Sequence, residues 1–304
     1  LEFGVCLSNY GKTLDLETLR LTAQEAEKLG FSSIWLTDHI LMPADSGTHY
    51  GRILETLTTL GYLSAVTKKV KIGISSLIIA MRNPVVATRQ LATLDYLSGG
   101  RLVTAIAAGW NEAEFTNMGS NFHDRGKRVD ETIRLIRTLW RGETRFESDK
   151  IPQHFESVEF EPRPVQKDLF IWIGGNSKFA MKRAANFGDG WHADGSPPEA
   201  FRKLVKEFRS VPGTENKKIS TRLAFNSKAT QTFYKGAKGD DQLMLSSNFS
   251  EDRGVLDEFS SLGVSEAMVE IDYNGATPLD GQLENLRTFA KEFLRAPERG
   301  MKYD

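Results

Sequence analysis

Residues 3–36 read FGVCLSNYGKTLDLETLRLTAQEAEKLGFSSIWL, and the alternation inside this stretch decides the fold. Phe3 to Leu7 is a short apolar run, the pattern of a strand buried on both faces. From Asp15 to Leu29, the residues Leu16, Leu19, Ala23, Ala26 and Leu29 recur at helical spacing on one face. Gly30 follows, where a helix most easily ends in a left-handed residue. Ser33 to Leu36 then begins a second apolar run. Strand, helix and strand in so short a span make a crossover unit, the connection that parallel strands require.

The alternation continues outward from this unit. Strands are predicted at Val70 to Ser75 and Arg101 to Ala107, and helices at Arg52 to Thr67, from Pro84 onward, and at Arg125 to Trp140. In the last of these, Val129, Ile133, Ile136 and Leu139 share one face. Residues 141–168 interrupt the pattern with Pro152, Pro162 and Pro164, and read as an insertion carrying a hairpin. Strands then resume at Leu169 to Ile173, Gly190 to Ala193, Ile219 to Phe225 and Ala267 to Ile271. Helices at Ser177 to Phe187, Pro198 to Arg209, Asp252 to Leu262 and Leu279 to Leu294 alternate with them. Residues 226–250 are polar and read as a long variable loop or loose lid. Eight strand-and-helix units predict an α/β fold, a single (β/α)8 TIM barrel spanning 1–304 with insertions. The rival is an open doubly wound sheet. No Gly-x-Gly-x-x-Gly follows the first strand and no second-domain boundary shows, which counts against it.

Composition narrows the function classes. Of 304 residues, 40% are hydrophobic and 26% charged, and the net charge is -1, so no bulk field favours nucleic acid or an anionic membrane. No apolar run approaches the roughly 20 residues of a membrane span. Leu1 to Leu7 is too short, and with Glu2 too charged, for the core of an export signal. Cys6 is the sole cysteine, which fits a cytoplasmic location. The five histidines are scattered without metal-binding spacing, so no metal is expected.

In a barrel the chemistry lies where strands end at the C-terminal face. Asp38 and His39 follow the second strand, either as an acid–base pair or as a capping carboxylate beside a surface imidazole. Gly174, Gly175, Asn176 and Ser177 lead from a strand into a helix, either as a phosphate cradle or as a plain turn with an N-cap. Ser75 and Ser76 end the third strand, and Ala108, Gly109 and Trp110 follow the fourth. Trp110 and Trp191 either wall a ring pocket or pack in the core.

These segments in order resemble the luciferase-like monooxygenase superfamily, in particular its coenzyme F420-dependent oxidoreductases. The resemblance rests on GWNEAEF at 109–115, Met118-Gly119, RGKRVDE at 125–131, FEPRPVQ at 160–166, IWIGGNS at 171–177 and AANFGDGW at 184–191. It implies a flavin or deazaflavin ring in the barrel mouth, with Asp38 binding the ring and His39 handling a proton. It further implies a bulge with a non-proline cis peptide at Ser75–Ser76, Ala108, Gly109 and Trp110 along the cofactor, and phosphate held at Gly174 to Ser177. The activity so implied is hydride transfer between F420 and a small organic substrate, in a homodimer. A monooxygenase using FMN is the alternative, and a non-catalytic flavin-binding protein is an alternative of another class. Residues 226–248 match no pattern of the family, and substrate specificity is expected to reside there.

Overall fold

The computed structural model describes residues 1–294. The expected single domain runs to 304, so its last ten positions, 295–304, lie outside the described residues. Along the chain the elements are β1 (Glu2–Cys6), α1 (Leu16–Leu29), β2 (Ser33–Leu36), α2 (Thr56–Val66), β3 (Lys71–Ile78), α3 (Pro84–Ser98) and β4 (Leu102–Ala107). Then come α4 (Glu112–Asn117), α5 (Arg125–Trp140), β5 (Ile171–Gly174), α6 (Lys178–Phe187), β6 (Gly190–Ala193), α7 (Pro198–Arg209) and β7 (Lys218–Phe225). The chain continues through β8 (Phe233–Lys235), β9 (Asp241–Leu245), α8 (Phe249–Ser261), β10 (Val264–Glu270) and α9 (Leu279–Phe293).

Strands β1 to β7 pair in sequence order, all parallel, and β10 closes the ring by pairing with both β7 and β1. Val5 stands opposite Ile34 on one side and Val269 on the other. This is the expected eight-stranded (β/α)8 barrel. Its strands are legible as apolar runs because the barrel filling covers one face and the helices the other. Inside, Cys6, Trp35, Ala105, Trp172 and Met268 form a separate apolar plug. Gly73 makes room for it, since a Cβ there would stand 2.5 Å from Trp35 Cε3. Burial pushes the Cys6 thiol up to about 12, so it is a packing group rather than a nucleophile.

Four expectations need correction. Residues 226–250 are not a featureless loop. β8 and β9 form an antiparallel hairpin, and β9 adds to the end of β7 outside the closed ring. Leu243, Met244 and Leu245 are buried there, an apolar run too short to stand out among polar neighbours. In the insertion at 141–168 the hairpin shrinks to one bridge, Phe146 with Phe155. The helix expected from Arg52 begins only at Thr56, after a short 3-10 turn at His49–Gly51, with Glu55 accepting from the Thr58 N–H at its start. The third strand runs past Ser75 to Ile78, and its register with β4 shifts between Ile74 and Leu77. The Ser75–Ser76 peptide within that shift is cis, as the resemblance implies. Among the described residues no helix is long and apolar enough to cross a membrane, and no cluster of His, Cys, Asp and Glu could hold a metal ion.

Candidate active site

A cleft of about 1080 Å³ opens at the C-terminal ends of the barrel strands. Asp38, His39, Ser75, Ser76, Ala108, Gly109, Trp110, Gly174, Gly175, Asn176 and Ser177 all line it. The positions singled out in the sequence are therefore brought together, although their roles differ from one another and in part from expectation. Of the two candidate tryptophans only Trp110 lines the cleft; Trp191 is fully buried against Phe201 and Phe208 and is a core residue.

His39 follows β2 and sits on the cleft wall. Its Nδ1 lies 2.8 Å from Oε2 of Glu114, and the Ile40 N–H donates to Oε1 of the same carboxylate at 2.7 Å. The imidazole stacks on Tyr50 at 4.5 Å and meets Trp110 edge-on at 6.1 Å. Burial alone would raise the Glu114 carboxyl. Bonds from His39 and from the Ile40 and Leu41 N–H groups outweigh it and hold the group below its ordinary value. Glu114 was absent from the sequence candidates although it lies in the quoted GWNEAEF segment. Its one signal is helical phase: Asn111 caps α4, which turns Glu114 and Phe115 inward and leaves Glu112 exposed.

Asp38 points the other way, as neighbours on an extended strand do. Its carboxylate accepts from both terminal nitrogens of Arg82, at 2.7 and 2.8 Å, and from the Ile78 N–H at 2.8 Å. The side chain is 0% exposed, so no atom of that carboxylate is open to a ligand in the cleft. The geometry makes Asp38 a brace for the segment after the β3 bulge, in place of the expected contact with the ring.

Between β5 and α6 the chain turns through Gly174 and Gly175. Gly174 passes so close to Ser76 that a Cβ would stand 2.4 Å from its Oγ. The Gly175 N–H is already given to the His192 carbonyl at 3.0 Å. Asn176 and Ser177 brace the turn: Asn176 Oδ1 accepts from the Asp194 N–H, and Ser177 Oγ accepts from the Ala180 N–H. Among the described residues nothing takes the N–H groups of Asn176, Ser177, Lys178 and Phe179, so the start of α6 presents open donors, the geometry that suits an anion. Arg125, Lys127 and Arg183 line the same mouth. Arg183 is fixed by Asp130 and the Gly126 carbonyl. These cations belong to the RGKRVDE segment and to α6, where the sequence offers a run of charge indistinguishable from an ordinary solvated face.

The floor is polar and crowded. Arg222 pairs with Glu270, gives a bond to the Ser75 carbonyl at 2.8 Å and another to Thr37 Oγ1 at 2.9 Å. Glu270 also accepts from Tyr10 at 3.2 Å and from Tyr234 of the hairpin at 3.1 Å. Arg222 Nε is buried without a partner among the described residues. Of these residues only Ser75 was a sequence candidate: Arg222 and Glu270 stand within strands, Tyr234 in the polar hairpin, and Tyr10 and Thr37 in the loops after β1 and β2, with no local pattern around them.

The model of the luciferase-like monooxygenase family matches residues 2–224 of the chain. The chain belongs to that family. An uncharacterised protein of Mycobacterium tuberculosis is 31% identical over 208 residues, 63% of this chain and 71% of that one. The F420-dependent glucose-6-phosphate dehydrogenase of Amycolatopsis mediterranei is 32% identical over 179 residues, 56% of this chain and 50% of the relative. The FMNH2-dependent dimethylsulfone monooxygenase of Pseudomonas putida is 29% identical over 201 residues, 64% of this chain and 53% of that one. The chain thus spans about half the length of these two named enzymes. Among solved structures, a monooxygenase from Streptomyces bottropensis superposes with a TM-score of 0.77 at 19% identity, covering 97% of this chain and 99% of that one. An F420-dependent secondary alcohol dehydrogenase gives a TM-score of 0.76 at 17% identity, with coverage of 96% and 98%. At these identities the structures speak for the fold alone.

Proposed function

We propose that the chain transfers a hydride between coenzyme F420 and a small organic substrate. The observation that carries this is the buried His39–Glu114 pair on the wall of a cleft that also holds an open helix N-terminus. An acid–base group and an anion site thus face one space of about 1080 Å³, ample for a ring cofactor and a small partner. The residues fit such a cofactor: the α6 N–H groups that no protein atom takes among the described residues, with Arg183 beside them, suit its phosphate. When bound, the cofactor supplies the two-electron chemistry. The chain supplies position and proton handling. With Nδ1 engaged by Glu114, His39 holds or moves a proton at Nε2. Asp38 and Arg82 fix Ile78 beneath the bulge, and the Tyr234 hairpin narrows the mouth against water.

The F420-dependent relative at 32% identity supports this choice of cofactor. The FMNH2-dependent relative supports the second reading, an FMN-dependent monooxygenase. Titration of the apoprotein with F420 and with FMN separates the two by affinity, and oxygen uptake during turnover separates them by chemistry. Tighter binding of FMN together with oxygen consumption overturns the F420 reading. A homodimer and a cytoplasmic location belong to the same reading, and light scattering of the purified chain tests the first.

A further inference from the structure

Three side chains from three strands form one line of hydrogen bonds across the cleft floor. Ser75 Oγ lies 2.8 Å from His192 Nε2, and His192 Nδ1 lies 2.9 Å from Ser220 Oγ. His192 on β6 and Ser220 on β7 are register partners. Residues 75, 192 and 220 are 3%, 2% and 0% exposed. Ser75 and His192 line the cleft, whereas Ser220 lies behind them. The imidazole lies parallel to Trp35, at 7° and 6.4 Å, which holds its plane.

A neutral imidazole carries one N–H and one lone pair, so the line can run in two directions. Burial keeps His192 neutral, pushing it down to about 4 against the pull of Asp194, with Arg222 adding to the effect. In one direction Ser75 donates to Nε2 and the Nδ1–H donates to Ser220. The Ser220 hydroxyl proton then has nowhere to go, because Oγ has no second partner among the described residues and no opening on the cleft. Folded proteins avoid leaving a buried donor unmade. In the other direction Ser220 donates to Nδ1, the Nε2–H donates to Ser75 Oγ, and the Ser75 proton faces the cleft. Both buried donors of the line, the Ser220 hydroxyl and the Nε2–H, are then satisfied.

We infer that Ser220 locks His192 as its Nε2–H tautomer and so leaves the Ser75 hydroxyl as a dedicated donor to an oxygen or nitrogen acceptor of the molecule in the cleft. His192 and Ser220 are positioning residues, and Ser75 makes the contact. The tautomer stands on the protein alone. Only the identity of the acceptor, an atom of the bound ring, rests on the function proposed above.

Two measurements test this. Long-range proton–nitrogen NMR correlation on the ligand-free protein, with the His192 signals assigned by their loss in His192→Gln, reads the tautomer directly. A protonated Nε2 and a bare Nδ1 are expected, and a protonated Nδ1 overturns the inference. Titration of Ser75→Ala with FMN and with F420 reads the donor. Loss of one neutral hydrogen bond weakens binding by about 2–12-fold, and that loss is expected for whichever of the two the wild type binds. Wild-type affinity in Ser75→Ala overturns the assignment of Ser75. If the wild type binds neither ligand, the proposed function and the choice of acceptor both fall, while the NMR result still decides the tautomer.

Discussion

The His39–Glu114 contact joins residues 75 positions apart, and removal of either end has a separable result. Loss of a positioned acid or base costs about 10²–10⁴ in rate. His39→Ala is therefore expected to lower turnover by that order while cofactor affinity, read by titration, changes far less. Near-wild-type turnover would make His39 a structural rim residue. Glu114 braces the imidazole and does not reach the cleft itself. The pair was half visible in the sequence: the strand-end position picks out His39, whereas its partner is set by the three-dimensional approach of α4. Asp38 shows the reverse. Its address at a strand end is right, and its side chain serves Arg82. His192 carries a prediction about acidity. Its imidazole takes a proton near 6.5 when unfolded and only near about 4 in the fold. Between those values the unfolded chain binds more protons, so stability falls as pH falls through that window, by on the order of 3 kcal/mol for the full shift. Urea unfolding at pH 7 and at pH 5 should show a smaller acid loss in His192→Gln than in wild type. An unchanged loss would place the acid sensitivity elsewhere.

In the proposed function, cofactor retention depends on the turn from β5 into α6. Gly175 adopts a φ of +114°, a conformation that side chains rarely enter, although a Cβ there would meet only Ala180 Cβ at an ordinary 3.6 Å. The position is thus demanding in backbone and permissive in space. Gly175→Val should re-aim the N–H groups that follow it while the packing around it survives. Roughly tenfold weaker binding of the preferred cofactor is expected, equivalent to about 1.4 kcal/mol, with a circular dichroism spectrum like the wild type. Unchanged affinity would remove the phosphate from this cradle. The GGNS motif was legible because glycine and a capping residue announce a strand-to-helix turn. The availability of particular N–H groups was not legible: the His192 carbonyl, from the next strand, takes that of Gly175. The β8–β9 hairpin was illegible for another reason. Tyr234 reaching Glu270 and Lys238 reaching Asp194 tie it down by polar contacts, which leave no hydrophobic period to read.

A closed barrel has a seam where its last strand meets its first, and here the seam is held from outside as well as within. Phe289 of α9 packs edge-on against Phe3 of β1 at 5.2 Å, edge-on against Phe225 of β7 at 5.2 Å and face-on against Phe31 at 5.9 Å. One side chain near the end of the described chain thus bridges a first strand and a seventh, the two that β10 stitches together. The helical spacing of α9 showed that the helix has an apolar face. Which strands that face would cover depended on closure, which no local pattern records. Phe289 is fully buried, so truncation leaves a cavity that the surrounding rings cannot fill without moving. Phe289→Ala is expected to cost about 3–5 kcal/mol, read as a lower midpoint in denaturant unfolding. Phe179, 80% exposed at the start of α6, is the control: Phe179→Ala should leave stability within about 0.5 kcal/mol. If the seam and barrel form one cooperative unit, the Phe289→Ala midpoint falls in a single transition with its slope unchanged. A second transition, or a reduced slope, would show that the barrel opens at the β10 seam before the remainder unfolds.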